Sequence, residues 1–300
     1  AHVDIDADLK NYYKVQGIVS DMSIRHQGRL FHPEDMVLDI LTRRDSTHAV
    51  VDCGDFHLHA NARGGYRRLL HVGNRLMAEV NRQMKARTID QVYLRRKLPY
   101  AQVFLSSGVD NIFMKILNHY GYRCKQADIN LGSSPLDGLN GTVAIDSLVI
   151  DSVRLDTVRL ALRSDSANIY YNGQIRNNIS NPQYVFNSLF QGQLMSNSMT
   201  LLSRLYDQDN RKIVDVGVDA ALEHEGIRFH ILNDSSTLGY RQFSVNKDNF
   251  VYLSSNKRLS AKINLLSNDN MGVQVFTNDS TEALQDLSIG VHKFDLEKVI

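Results

Sequence analysis

His57 and His59 stand two residues apart in a segment of alternating polarity, with Asp55 two residues before them. A strand there would project both imidazoles and the carboxylate to one side, a spacing that metal sites use. The competing pattern is that Phe56, Leu58 and Ala60 claim the buried face and leave the histidines in solvent. The sequence holds no His-Glu-x-x-His, no Gly-x-Ser-x-Gly and no Gly-x-x-x-x-Gly-Lys-Ser/Thr. The usual signatures of metalloproteases, serine hydrolases and P-loop nucleotide binding are therefore missing. Cys53 and Cys124 lie too far apart for a zinc ribbon and read as two free thiols, with one long-range disulfide as the alternative. The chain reads as non-enzymatic, with no catalytic residue, metal or cofactor expected.

The one pronounced charge feature is the segment 63–97. It holds ten basic residues against Glu79 and Asp90, a net of +8 that leaves the remainder of the chain at −7. Arg68, Arg75 and Arg82 fall seven apart, with Glu79 placed to pair with Arg75 or Arg82. Such a stripe is either a solvated helix face or a contact for anionic headgroups or an acidic partner.

The elements that would carry these residues follow from hydrophobic period. Leu69, Gly73, Leu76, Val80 and Met84 recur at spacings of three and four, which predicts a helix. A second short helix is expected from the capping box Thr88-Ile89-Asp90-Gln91, ended by Pro99. A third follows from Val109, Ile112, Ile116 and Tyr120, with Asp110 in its first turn and Gly121 as its stop. Elsewhere the period is two. The alternating runs are Phe56/Leu58/Ala60/Ala62, Val143/Ile145, Val158/Leu160/Leu162, Val214/Val216/Val218, Ile227/Phe229/Ile231, Ala261/Ile263/Leu265 and Leu287/Ile289/Val291. Turn signals recur at Asn172-Gly173, Asp209-Asn210, Asp248-Asn249, Asp269-Asn270 and Asn278-Asp279. Three copies of a five-residue unit begin at Asp146, Asp151 and Asp156. Their apolar parity flips at each step, which predicts bulges or turns there.

The chain divides on this reading into a β segment at 1–64, a basic helical insertion at 65–122 and a second β segment at 123–300. Its 300 residues are 43% hydrophobic and 22% charged, enough to exclude wholesale disorder and a disulfide-stapled mini-domain. A net charge of +1 argues against a dedicated nucleic-acid binder. No apolar window reaches the roughly 18 residues that a spanning helix needs. Alternation is already under way at Ala1-His2-Val3, and the chain stops at Ile300 without a terminator, so it reads as an interior part of a longer protein. On the order of 16 strands are expected, and three short helices cannot cover them. The sheet must therefore close into a sandwich or barrel, or remain a curled trough whose apolar lining meets something outside the chain.

Several stretches resemble the TamB-type members of the AsmA-like superfamily, the long envelope proteins of Gram-negative bacteria. They are SGVDNIFMKIL (Ser107–Leu117), SSPLDGLNG (Ser133–Gly141), LDTVRLALRSD (Leu155–Asp165), YYNGQIRNNISNPQYVFN (Tyr170–Asn187), LGYRQFSVNKDNFVYL (Leu238–Leu253) and LQDLSIGVHKFDLEKV (Leu284–Val299). The resemblance implies a mainly β fold, a long curled antiparallel sheet called a β-taco, interrupted by the helical insertion. It implies a periplasmic segment of a parent anchored in the inner membrane, with phospholipid acyl chains sliding along the trough between the two membranes. It also implies help in outer-membrane protein assembly through a TamA-like β-barrel partner. The groove lining would be Phe56 and Leu58 with the alternating runs from Val143 to Val291. Arg68, Arg75 and Arg82 would be the headgroup or partner contact. A closed β-sandwich or barrel acting as a binding or structural module is the alternative.

Overall fold

The computed structural model describes residues 2–8, 12–26, 29–32, 34–86, 90–223, 225–232, 235–278 and 286–293. The chain begins with β1 (His2–Ala7), β2 (Tyr13–Val19), β3 (Ile24–His26), β4 (Arg29–Phe31), β5 (Met36–Thr42), β6 (Ser46–Cys53) and β7 (Phe56–Arg63). There follow α1 (Tyr66–Lys85), α2 (Gln91–Arg96), β8 (Ala101–Ser107), α3 (Ile112–His119) and β9 (Tyr122–Arg123). Next come β10 (Gln126–Ser134), β11 (Gly138–Ile150), β12 (Val153–Ser164), β13 (Ile169–Asn177), β14 (Phe186–Leu194), β15 (Ser198–Tyr206) and β16 (Lys212–Glu223). The last are β17 (Gly226–Ile231), β18 (Ser235–Leu238), β19 (Arg241–Val245), β20 (Phe250–Ser254), β21 (Leu259–Ser267), β22 (Gly272–Thr277) and β23 (Leu287–His292).

Twenty-one of these strands form one sheet, and β3 with β4 makes a separate hairpin. Every ladder is antiparallel, and strands that follow in sequence lie side by side: β1, β2, β5, β6, β7, β8, then β10 through β16. Beyond β16 one strand is broken into β17 and β18, and the next into β19 and β20, before β21, β22 and β23 complete the meander. With the two halves of each broken strand taken together, and β9 set aside as a two-residue pairing on β11, the 21 strands make 18 rungs. At about 4.8 Å each they give a curled sheet roughly 80 Å along its hydrogen-bonding direction. The breaks are filled by asparagine amides. Asn249 accepts from the Ile231 amide at 2.7 Å and donates to its carbonyl at 3.0 Å. Asn246 accepts from the Asn264 amide at 2.7 Å. Side chains thus replace the missing ladder bonds.

Only the middle parity flip has the expected cause; at the outer two neither strand carries an extra residue, since the β11–β12 register runs without a shift. Ser147, at φ +54°, and Asp156 oppose each other without pairing, between the pairs Asp146–Thr157 and Leu148–Leu155. The middle flip is the β11–β12 hairpin turn, with Asp151 at φ +52°. Other expectations are corrected. The block read as helical is itself interrupted by β8, whose seven residues alternate too briefly to stand out. Thr88 lies outside the described residues, and α2 is capped by Asp90, which accepts from the Tyr93 amide at 2.8 Å. Asp110 precedes α3 rather than entering its first turn, and Asn111 is the cap, accepting from the Met114 amide at 2.8 Å. Asn172-Gly173 is no turn but the middle of β13. A Cβ on Gly173 would lie 2.2 Å from Cζ of Phe190, so glycine is needed there for the ring to lie across the strand.

Little of the apolar surface is hidden. Among the described residues the buried apolar side chains are Cys53, Phe56, Ile112, Met114, Phe243, Val245, Ala261 and Met271. The first four sit around α3, where the rings of Phe56 and Phe113 lie 4.3 Å apart. The chain exposes 18676 Å², whereas a compact monomer of its mass would expose about 13,000 Å². Neither expected form of closure is present among the described residues. The only other sheet is the β3–β4 hairpin, and β1 pairs with β2 and β23 with β22, not with each other. No described helix is long and apolar enough to cross a membrane.

Candidate apolar trough

In an antiparallel ladder, directly opposed residues share a face. Following the register from strand to strand, Val3, Gly17, Leu38, Val51, Leu58, Leu105, Ile129, Val143, Leu160, Gly173, Phe190, Ser203 and Val216 stand in one row. Two residues along each strand lies a row with Phe56, Ile145, Val158, Ile175, Leu205 and Val214. On the other side lie Val103, Leu131, Leu162, Leu201, Val218 and Ile231, then Ile169, Leu194, Met199, Ala220, Phe229, Val251 and Ala261. Ile227 joins through its opposition to Leu222. Ile263, Leu265, Leu287, Ile289 and Val291 continue the same face through β21, β22 and β23. All of the lining residues expected from sequence therefore share one side of one sheet.

Much of that side is half-buried, while Val3, Met199, Phe229, Ile289 and Val291 on it are exposed, Ile289 to 64%. On the opposite side Phe104 is 45% exposed and Leu189 36%, while their chain neighbours Leu105 and Phe190 on the apolar side are half-buried. The lining of β8 and β10 was missed from sequence, as were Phe190 and the inward residues of β14 and β15. Gly141, Gly173, Gly192, Ser188 and Ser203 occupy inward positions and dilute the alternation there.

The helices stand on opposite rims. At one rim α3 follows β8, and Asn111, fully buried, donates to Asp55 Oδ1 at 2.7 Å and to Ser107 Oγ at 3.1 Å. At the other rim α1, about 30 Å long, is pinned at its start, where the Tyr66 amide donates to Thr42 Oγ1 at 3.0 Å. Its far end joins α2 through Gln83, which accepts from the Asp90 amide at 2.7 Å. Gln91 of α2 donates to the Met195 carbonyl at 3.1 Å, and Arg95 Nε to the Pro135 carbonyl at 3.1 Å. These bonds hold α1 and α2 at the strand ends from β11 to β17, bounding a half-open cavity of about 550 Å³. Leu76, Val80 and Met84 face Leu139, Ile169, Leu194, Met199, Ala220, Leu222, Ile227 and Phe229 across it. The helical stripe was legible in sequence, but its partner strands were not.

The basic stripe is exposed. Glu79 pairs with Arg82, accepting from Nε at 2.9 Å, and not with Arg75. The Arg82 guanidinium, and next the Gln83 amide, lower the Glu79 carboxyl from 4.5 to about 2. Arg68 and Arg75 have no carboxylate within 4.0 Å among the described residues. The metal-like pattern at His57 and His59 loses its carboxylate. Asp55 is turned to the α3 cap, accepting from the Asp110 amide at 2.8 Å and from Asn111. Its place beside the histidines is taken by Asp52, 2.7 Å from His57 Nδ1 and 3.9 Å from His59 Nε2. Among the described residues no three His, Cys, Asp or Glu side chains are arranged to hold a metal ion. Cys53 and Cys124 are free thiols, the first buried and the second raised in pKa by its burial.

No family model, no curated protein and no solved structure matches the chain.

Proposed function

We propose that the chain is a non-enzymatic lipid-conducting segment of a cell-envelope protein. Its apolar face receives phospholipid acyl chains and lets them move along the strand-stacking direction. Support comes chiefly from one observation: a single apolar face runs from β1 to β23, and the helices cover only its margins, α3 at Phe56 and α1 with α2 at the strand ends from β11 to β17. Each methylene laid on such a face gains about 0.8 kcal/mol. Neighbouring rungs present similar surfaces, so sliding from one to the next costs little, and no polar contact or chemical step is required.

The reading extends to a setting. The resemblance described above supports a periplasmic location in a Gram-negative envelope, with the parent protein anchored in the inner membrane and a TamA-like barrel as assembly partner. Arg68 and Arg75, without a carboxylate partner among the described residues, are the headgroup contacts, with Arg82 a lesser one because Glu79 neutralises it. Mass spectrometry of the purified chain tests the proposal. Co-purifying phospholipid, several molecules per chain, is the expected result, and a lipid-free chain after mild purification contradicts it.

A further inference from the structure

The connection between β13 and β14, residues 178–185, lies on the rim that carries α3 and holds two large side chains out in solvent. Ile179 is 86% exposed and Tyr184 75%. The loop that presents them is pinned by polar side chains that are themselves buried, Asp156, Asn177 and Asn181. Asp156 accepts from the Asn178 amide at 2.8 Å and from Asn181 Nδ2 at 3.3 Å, and its own amide donates to Asn177 Oδ1 at 3.0 Å. Asn181 Oδ1 accepts from the Gln183 amide at 2.9 Å. Gln183 ties the loop to the β11–β12 turn, accepting from the Arg154 amide at 2.9 Å and donating to the Ser152 carbonyl. The polar groups of Asn181 and Gln183 are therefore spent inside the loop, and Ile179 and Tyr184 are left as its outward bulk.

Charge is absent from the same stretch. From Asn177 to Ser203 there is no Asp, Glu, Lys, Arg or His, in a chain that is 22% charged. Beside the loop the register sets Tyr122, Ile150 and Val153 in one row, all exposed, and the Asp151 amide joins that turn to the Gly121 carbonyl at 3.2 Å. One residue further into the strands, Arg123 and Arg154 share a row with Val149. Arg123, Lys125, Arg154 and Arg176 against Asp151 and Asp156 leave this surround at +2.

We propose that the loop is an interfacial anchor, inserting Ile179 and Tyr184 into the surface of a bilayer that contains anionic phospholipid. An uncharged apolar tip enters the boundary between headgroups and acyl chains without desolvating an ion. Tyrosine suits that depth, because its ring is apolar and its hydroxyl stays wet. The basic residues one step behind the tip meet anionic headgroups. A protein partner fits less well, since a specific interface reads a pattern of hydrogen-bond donors and acceptors and this loop has turned much of its own inward. Pinning the loop in advance removes the cost of ordering it on binding. The anchor stands on the opposite rim from Arg68 and Arg75 and requires neither them nor the trough.

The chain contains no tryptophan, so Ile179→Trp supplies a single fluorescent reporter. With vesicles of phosphatidylcholine and phosphatidylglycerol its emission should shift to the blue and be quenched by bromine on the acyl chains. Phe104→Trp, on the polar side of β8, should show neither effect. In flotation the double variant Ile179→Ser with Tyr184→Ser should partition about tenfold or more weakly than the native chain, with circular dichroism confirming its fold. Vesicles of phosphatidylcholine alone should bind the native chain less well. Emission of Ile179→Trp that vesicles leave unmoved, quenching equal to that of Phe104→Trp, or flotation unchanged in the double variant each overturns the anchor. Vesicle binding without quenching at Ile179→Trp leaves the loop in water, open to a protein partner, and overturns it as well. If phospholipid crosslinks at Leu160 while Ile179→Trp stays unquenched, the anchor falls and the trough stands. The reverse pattern removes the trough and keeps the anchor.

Discussion

At the scale of single residues, position on the sheet matters more than chemical type. Leu160 sits in the longest apolar row, and Ile263 in the continuation of that face beyond the broken strands. Leu160→Asp or Ile263→Asp places a charge where an acyl chain would lie, and desolvating it opposes binding. Crosslinking to phospholipid should fall at least about fivefold in a folded variant. Unchanged crosslinking would remove these residues from the lining. A second residue-level expectation concerns Glu79, whose carboxyl is lowered to about 2 by Arg82 and Gln83. Its folded value lies below its unfolded one, so its stabilisation is present above pH 4.5 and is lost as pH falls through about 2. The gap in Tm between the native chain and Glu79→Gln should therefore close as pH drops across that window. A gap independent of pH would show that the pair contributes packing and not charge.

At the scale of elements, the rim helices have separate tasks. α3 is tied into the sheet by Asn111 and lays Phe113 against Phe56, which makes it structural. α1 and α2 meet the sheet along the half-open cavity they bound and turn Arg68 and Arg75 outward. Reversing these two to Glu should weaken binding to anionic liposomes, strongly at low ionic strength and weakly near 0.5 M salt, where charges are screened within about 4 Å. Adding Arg82→Glu should change little more, because Glu79 already occupies Arg82. Equal binding of wild type and variant at low salt would make the stripe a solvated face. Strand type and helix type were legible wherever the period was clean, as in α1 and in β16, β17 and β21. Legibility failed where a residue served a neighbour rather than its own segment. Gly173 looks like a turn residue until the Phe190 ring is laid over it, and Asp55 looks like a ligand until Asn111 claims it.

At the scale of the whole molecule, the chain has the exposed surface of an unfinished core. Its surface exceeds that of a compact protein of its mass by several thousand Å², and the ladders keep the apolar runs of its strands on one side. The sequence counted that surplus correctly, since three helices cannot cover so many strands. It did not reveal that β1 and β23 have no second strand partner among the described residues, because edge pairing is a long-range fact that no local period carries.

The most direct test places a photoreactive amino acid at matched positions on the two faces, one at a time: Leu160 and Ile263 on the apolar side, Arg159 and Lys262 beside them on the polar side. Phospholipid adducts should form from Leu160 and Ile263 and not from their neighbours. Adducts from neither face, or equally from both, would contradict the trough.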